Sequence, residues 1–391
     1  MTQRLDTRTC LPEDFQDAIL VGRIWQPGAG PTLVTIQGNG IHDLSSVAAT
    51  SSELFEQADP VAAIRNAGPL PRLASLDAVL GNSDVRGRDE ARPWLLAPCD
   101  LQAVKASGVT FVSSMLERVI EEQARGDASR AEAVRKSIAA VIGDNLSSIV
   151  PGSPEAAKLK EVLIAQGAWS QYLEVGIGPD AEIFTKAQPM SAVGIGAEVG
   201  IHAKSEWNNP EPEIVLVVDS RGKTVGATLG NDVNLRDFEG RSALLLGKAK
   251  DNNASCSIGP FIRLFDAGFT IADIRRAELA MRVDGEDGFE MTGSSSMSMI
   301  SRDPLDLVKH ATGPHHQYPD GMLLFLGTMF APVKDRFGPG QGFTHAVGDV
   351  VTISTPKLGA LVNRVNYSHE IAPWTFGVLA LMRNLAHRKL L

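Results

Sequence analysis

The chain has 391 residues, 43% of them hydrophobic and 21% charged, with a formal net charge of −9 at pH 7. That length suffices for two or three structural units of ordinary globular composition. The acidic balance, with no clustered basic face, argues against a nucleic-acid partner, although a local lysine pocket can still reverse the sign of the field.

Residues 1–100 carry short strand-like runs, "AILVGRIW" and "PTLVTIQGNGIHDL", followed by the Pro-rich "AGPLPRLASLDAVLG" and "RPWLLAP". They predict a small β-containing N-terminal domain and a linker. Residues 101–168 change to helical spacing in "SSMLERVIEEQARG", "DASRAEAVRKSIAAVIG" and "SPEAAKLKEVLIAQG". The last has Ser153 at the N-cap, Pro154 at the first helical position and Gly167 at the stop. From Ala168 to about Leu361 strands, loops and glycines dominate, interrupted by helix-like "TIADIRRAELAMR" and "SRDPLDLVKHA". A terminal amphipathic helix is predicted in "PWTFGVLALMRNLAHRKLL", with basic residues in its last turns as the helix dipole favours. The division is therefore residues 1–100 and a β-rich catalytic unit over 101–391, entered through the helical segment 101–168.

The strongly apolar stretch from Met322 to Val333 contains Gly and Pro and is too short for a bilayer. The N-terminus lacks a basic stretch followed by an apolar core. A cytoplasmic protein is the expectation. Cys10, Cys99 and Cys256, without a CxxC, fit reduced thiols better than disulfides or a zinc site.

The segment "PEPEIVLVV" at 210–218 starts a strand with two carboxylates at its mouth. The turn signal Asp219-Ser220-Arg221-Gly222 and the run "KTVGATLG" complete a hairpin. Pairing Val218 with Lys223 puts Glu213 opposite Thr228, Glu211 opposite Gly230 and Asn209 opposite Asp232. Glu211 and Glu213 project to one side of the strand, and Asp232 joins them. Three converging carboxylates repel unless a cation neutralises them, and an all-oxygen set suits Mg2+ or Mn2+ better than Zn2+. The alternative is solvated acids at strand ends.

From these residues outward the chain resembles the fumarylacetoacetate hydrolase family. The resemblance runs through "EIFTKAQPMSAVGIG" (182–196), "EPE", "GATLGNDVNLRD", "AKDNNASCSIGP" (249–260) and "VGDVVTISTPKLGALVN" (347–363). It implies an α+β fold built on a β-rich mixed β-roll, assembly as a homodimer or homotetramer, and Glu211, Glu213 and Asp232 as ligands of Mg2+. It also implies functional roles for Lys250, for Arg236 and for Lys186 of the "FxK" strand. Where the family's hydrolases carry a water-activating histidine, "TFVSSMLERV" has Glu117, which could serve as base toward a carbon acid. The alternative places Glu117 and Arg118 on a solvated helix face with Glu121 and Glu122.

"NDVNLRDFEGRSALLLGKAKDNNAS", "GSSSMSMISRDPLDLV" and "HHQYPDGMLLFLGTMFAPVKDR" resemble the family's 2-keto-3-deoxy-pentonate dehydratase subgroup. The reaction implied yields 2,5-dioxopentanoate through a metal-stabilised enolate, with Glu117 as base and Lys250 stabilising the enolate or shuttling protons. The Gly293-Ser294-Ser295-Ser296 segment is either a substrate-binding loop, through Ser294, Ser295 and Ser296, or a flexible polar loop. His315 and His316 are more simply loop histidines than sugar contacts. The competing functions are a C–C hydrolase of 2,4-diketo acids on the same scaffold and a noncatalytic, metal-stabilised binding protein.

Overall fold

A continuous apolar run can be buried on both faces of a sheet, and the stretch Ile214–Val218 is. The computed structural model describes residues 4–134, 149–165, 167, 169–330 and 332–391. Five strands come from the first hundred residues: β1 (Leu20–Gln26), β2 (Gly30–Gln37), β3 (Gly40–Asp43), β4 (Arg72–Ser75) and β5 (Trp94–Leu96). They are followed by β6 (Ala103–Gly108), β7 (Glu182–Ala187), β8 (Glu198–Ile201), β9 (Asn208–Asn209), β10 (Pro212–Val218), β11 (Thr224–Asp232), β12 (Asn234–Leu235) and β13 (Cys256–Leu264). The last are β14 (Glu278–Asp284), β15 (Glu290–Ser296), β16 (Met322–Phe325), β17 (Val350–Thr355) and β18 (Gly359–Tyr367).

The large sheet runs β4-β3-β2-β1-β13-β11-β10-β16-β6-β7, with β5 also pairing β1. A smaller sheet runs β15-β14-β17-β18-β8. Ile214, Leu216 and Leu229 of the first pack with Leu279, Met281, Ile353 and Leu361 of the second. On the other face of the large sheet Val215, Val217, Ile258 and Phe325 share a core with Leu54, Phe55, Val61 and Ile64. The first hundred residues thus extend the sheet and cover one of its faces. The helical segments include α1 (Val112–Ala124), α2 (Pro154–Ala165), α3 (Arg236–Glu239), α4 (Leu246–Lys250), α5 (Pro304–Ala311) and α6 (Val378–His387). Among the described residues no helix is long and apolar enough to cross a membrane.

The β10–β11 hairpin forms, but in a register two residues from the expected one. Glu213 stands opposite Gly230 and Pro212 opposite Asn231, and the Asp232 N–H donates to the Glu211 carbonyl at 3.0 Å. Asp219 closes the turn instead of leading it, its N–H donating to the Lys223 carbonyl, and a bulge at Val217/Val218 adds the second residue of displacement. An even shift leaves every side chain on its face. Glu211 therefore moves opposite Asp232, tightening the predicted cluster.

One local expectation holds, and others are corrected. The Ser153 Oγ accepts from the Ala156 N–H at the start of α2, with Pro154 in its first turn. The segment "TIADIRRAELAMR" is only briefly helical, at Ile271–Ile274, and then becomes β14, in which Leu279, Met281 and Val283 alternate with exposed neighbours. Two-residue periodicity won over helical spacing there. Ser294, Ser295 and Ser296 lie on β15 and not in a loop. Of the predicted helix at 127–143, residues 135–143 lie outside the described residues.

Gly230 is required by close packing: a Cβ there would lie 2.2 Å from a Phe325 ring carbon and 2.6 Å from Val215. Gly230→Val is expected to destabilise the fold by about 1–3 kcal/mol, measured as a lower urea midpoint. Phe325→Leu in the same chain should recover part of the loss.

Candidate metal centre and active site

Because residues two apart on a strand share a face, Glu211 and Glu213 of the β10 segment point with Val215 and Val217 toward the covered side of the large sheet. Asp232, at the end of β11, joins them. One carboxylate oxygen from each lies within 4.8 Å of the others, and all three residues are buried. The donor set contains no sulfur or imidazole, which suits a hard dication of the Mg2+ or Mn2+ type.

Protein cations already balance part of this charge. Lys250 Nζ, at the end of α4, donates to Glu211 Oε2 at 2.5 Å and to Asp232 Oδ2 at 2.9 Å. Lys186 Nζ lies 2.9 Å from Asp232 Oδ1, a charge contact without an aligned hydrogen bond, and donates to the Val233 and Lys250 carbonyls. Arg118 of α1 pairs with the other oxygen of Glu211, with Glu121 Oε2 at 2.8 Å and with Glu239 Oε2 at 3.1 Å. Arg236 continues the network, donating to Glu121 at 2.6 Å and to Glu117 at 3.1 Å, with Trp207 4.4 Å from its guanidinium. Glu213 is held by the Gly327 N–H at 2.7 Å and the Thr328 hydroxyl at 3.2 Å.

Across this linked set six carboxyls (Glu117, Glu121, Glu211, Glu213, Asp232, Glu239) face four cations (Arg118, Lys186, Arg236, Lys250). With all six carboxyls ionised, a dication would close that deficit of two charges. Burial raises the Glu211 carboxyl, but Arg118 and Lys250 outweigh it and hold the group at about 2. Burial pushes Glu213 well above the carboxylate range, and Asp232 and Glu211 push the same way. Like charge from its neighbours adds to burial in favouring the neutral form of that group. Burial opposes the Lys250 ammonium, yet Asp232 and Glu211 raise its proton affinity overall.

A family model described as the C-terminal part of fumarylacetoacetate (FAA) hydrolase matches residues 164–366, more than half of the chain. This chain belongs to the fumarylacetoacetate hydrolase family. A probable 2-keto-3-deoxyxylonate dehydratase of Haloferax volcanii is 32% identical over 194 residues, 50% of this chain and 63% of that protein. A 2-dehydro-3-deoxy-D-arabinonate dehydratase of Saccharolobus solfataricus is 30% identical over 190 residues, 49% of this chain and 60% of that one. The chain thus matches less than two thirds of the length of these curated relatives. Among solved structures, an apo 2-keto-3-deoxy-D-arabinonate dehydratase superposes with a TM-score of 0.59 at 21% identity, covering 89% of this chain and 99% of that one. A structure of that enzyme name complexed with magnesium and 2,5-dioxopentanoate gives 0.57 at 22% identity, with coverages of 89% and 99%. The α+β, β-rich fold is therefore that of fumarylacetoacetate hydrolase relatives.

Within this family fold, the sequence-derived residues Glu211, Glu213, Asp232, Lys186 and Lys250 come together, and Arg236 and Glu117 connect to them through Glu121 and Arg118. No hydrogen bond or ion pair among the described residues links Ser294, Ser295 or Ser296 to the carboxylates; Ser296 Oγ instead accepts from the Ser298 N–H. His315 and His316 are exposed. The solvated-face alternative for α1 fails for Arg118 and Glu121, which are 9% and 1% exposed. Four participants were not anticipated as site residues: Arg118, Glu121, Glu239 and Glu182. Arg118 and Glu121 share a helix face with Ser114, Met115 and Val119, and that 3.6-residue periodicity was the available signal. Glu182, at the start of β7, lies against Gly108, where an added Cβ would come within 1.8 Å of its carboxyl oxygen. Burial and then Glu239 raise the Glu182 carboxyl to about 7, against the pull of Arg118 and Lys250.

Arg118→Met removes the shared cation of three buried carboxyls and is expected to cost about 3–5 kcal/mol, measured by chemical denaturation without added metal. An unchanged midpoint would show that Glu121, Glu211 and Glu239 are satisfied without Arg118.

Proposed function

We propose that this chain is a Mg2+-dependent dehydratase that converts a 2-keto-3-deoxy-pentonate into 2,5-dioxopentanoate, acting in the cytoplasm as a homodimer or homotetramer. The observation that carries the proposal is the buried Glu211–Glu213–Asp232 cluster with Lys250 and Lys186 against it, in a chain whose curated matches include proteins named as dehydratases of such acids. Mn2+ is the alternative ion for the same oxygen donors.

When bound, the dication polarises the carbonyl at C2 and so makes the C3 protons acidic. Elimination then requires a group to take a C3 proton and a group to protonate the departing C4 hydroxyl, so that water leaves. Proton transfer at C5 and tautomerisation then turn the C5 alcohol into the aldehyde. Lys250 is placed to carry protons or to stabilise negative charge on the substrate, since its ammonium already bridges two of the carboxylates. Lys186 holds Asp232 in position, fixed itself by backbone carbonyls.

Two carboxyls compete for the role of base. Glu117 is the sequence-derived choice, and its carboxylate is paired with Arg236. Glu182 is closer to what proton transfer near neutral pH needs, with its proton affinity raised to about 7 by burial and then by Glu239, against the pull of Arg118 and Lys250. We assign proton transfer to Glu182 and the orientation of Arg236, as a substrate-binding cation, to Glu117. Ser294–Ser296 would serve substrate only if the substrate reaches β15. The hydrolase reading is less well supported, since the family's water-activating histidine is replaced by Glu117 and that side chain is committed to Arg236.

Metal-stripped protein is expected to lose dehydration of 2-keto-3-deoxy-pentonate and regain it with Mg2+. Glu211→Gln and Asp232→Asn should each lower kcat/KM by at least about a hundredfold, with folding retained by circular dichroism. Cleavage of a 2,4-diketo acid without dehydration would reject the dehydratase; metal-raised thermal stability with no turnover of either acid would favour the noncatalytic alternative. Exchange of C3 protons with solvent separates the two carboxyls, being lost in Glu182→Gln and kept in Glu117→Gln if the assignment is correct.

A further inference from the structure

The pairing that sets Glu211 opposite Asp232 continues past Pro210, where β9 and β12 place Asn209 opposite Asn234. Strand alternation puts these asparagines on the face that carries the three acids, one rung further out and about 7 Å along the strands. Both are buried, at 1% and 0% exposure. Asn209 Nδ2 donates to the Pro210 carbonyl at 2.9 Å, while Asn209 Oδ1 and both polar atoms of Asn234 have no hydrogen-bond partner among the described residues. Buried amide atoms are ordinarily paired, so three unpaired ones beside a charged site call for a partner.

The neighbouring asparagines sharpen the contrast. Asn208 turns to the opposite face, where its Oδ1 accepts from the His345 N–H at 3.2 Å and its Nδ2 bonds Ser205. Asn231 uses its Oδ1 to accept from the Glu211 N–H at 3.1 Å, although its Nδ2 has no hydrogen-bond partner among the described residues. On those residues the side-chain oxygen braces the backbone; on Asn209 and Asn234 it does not.

We infer that Asn209 and Asn234 form a hydroxyl-recognising subsite that holds the far end of a hydroxylated 2-oxo acid whose carboxylate end lies at the acid cluster. The inference rests on the dehydratase reading above and adds what selects the substrate. A carboxamide offers both a donor and an acceptor, as a hydroxyl does, so one amide can satisfy one hydroxyl in both senses. A second carboxylate would face the amide oxygens and the surplus negative charge nearby. An alkyl tail would leave the three atoms unpaired. The amides also add recognition without adding charge to an already acidic neighbourhood.

The test uses Mg2+-loaded protein and two acids that cannot lose water from C4: 2-oxopentanoate and 5-hydroxy-2-oxopentanoate, which differ by one hydroxyl. Calorimetry on the unsubstituted protein should show the hydroxylated acid binding roughly tenfold to a hundredfold tighter. Asn234→Leu should bind 2-oxopentanoate as before, bring the preference close to unity, and melt at the same or a higher temperature, because an apolar group of similar size replaces unpaired polar atoms. Asn234→Thr, expected to keep part of the preference, serves if the Leu variant does not fold. A preference unchanged in either folded variant, or an equal loss for both acids, overturns the subsite. Equal binding of the two acids by the unsubstituted protein overturns the subsite alone; binding of neither overturns it together with the dehydratase reading.

Discussion

Three carboxyls buried on one strand face are the constraint to which the rest of the site responds. At the separation of Glu211, Glu213 and Asp232, each ionised pair repels by roughly 3 kcal/mol at an effective dielectric of about 20. A fold that only stored these acids would be better served by apolar residues. Instead it brings cations from three directions: Arg118 from α1, Lys186 from β7 and Lys250 from α4. Among the described residues Glu213 receives hydrogen bonds from neutral donors, and the charge it leaves unbalanced is what a dication supplies.

The cluster's position also explains why the sheet is so wide. β10 and β11 lie inside it, flanked by β16 and β13, so the acids at their ends are walled in. β1 pairs with β13, whose Cys256 stands opposite Asp232, and the first hundred residues supply the core that covers the acid-bearing face. A segment without any metal-binding residue of its own therefore excludes water from that face. Burial pushes the Glu213 carboxyl up, whereas Lys250, which burial opposes, is raised by Asp232 and Glu211.

How much of this was legible in the sequence follows from the range of each interaction. The hairpin was visible because the apolar run, the turn residues and the Glu-x-Glu spacing are local, and its misplaced register did no damage because the error was even. The Ser153–Pro154 helix start was visible for the same reason. By contrast, "TIADIRRAELAMR" satisfies both periodicities over a short window, and only pairing with β15 and β17 decides for a strand. The serines of β15 look like a loop by composition, yet they fill a ladder. Arg118, Glu121 and Glu239 look like surface charges until α1 and α3 are packed together, since each is satisfied by partners far away in the chain. The 3.6-residue period of α1 marks a buried face, but it does not name the partners that face meets.

Polar satisfaction separates scaffold from site more sharply than residue type does. Asparagine occurs four times in the two short stretches around the acids, at 208, 209, 231 and 234. Where the side-chain oxygen accepts from a backbone N–H, it braces the fold: Asn231 ties the hairpin to Glu211, and Asn208 ties β9 to the segment at His345. Where it is left unpaired on the acid-bearing face, at 209 and 234, folding has gained nothing from it and the ligand-free protein bears the cost of desolvating it. Glu182 shows the same logic in charged form: burial beside Gly108 makes its ionisation unfavourable and thereby brings its proton affinity close to neutral pH. Local conflicts of this kind are expected where a fold has been shaped by chemistry as well as by stability, and here they gather around the buried carboxylates.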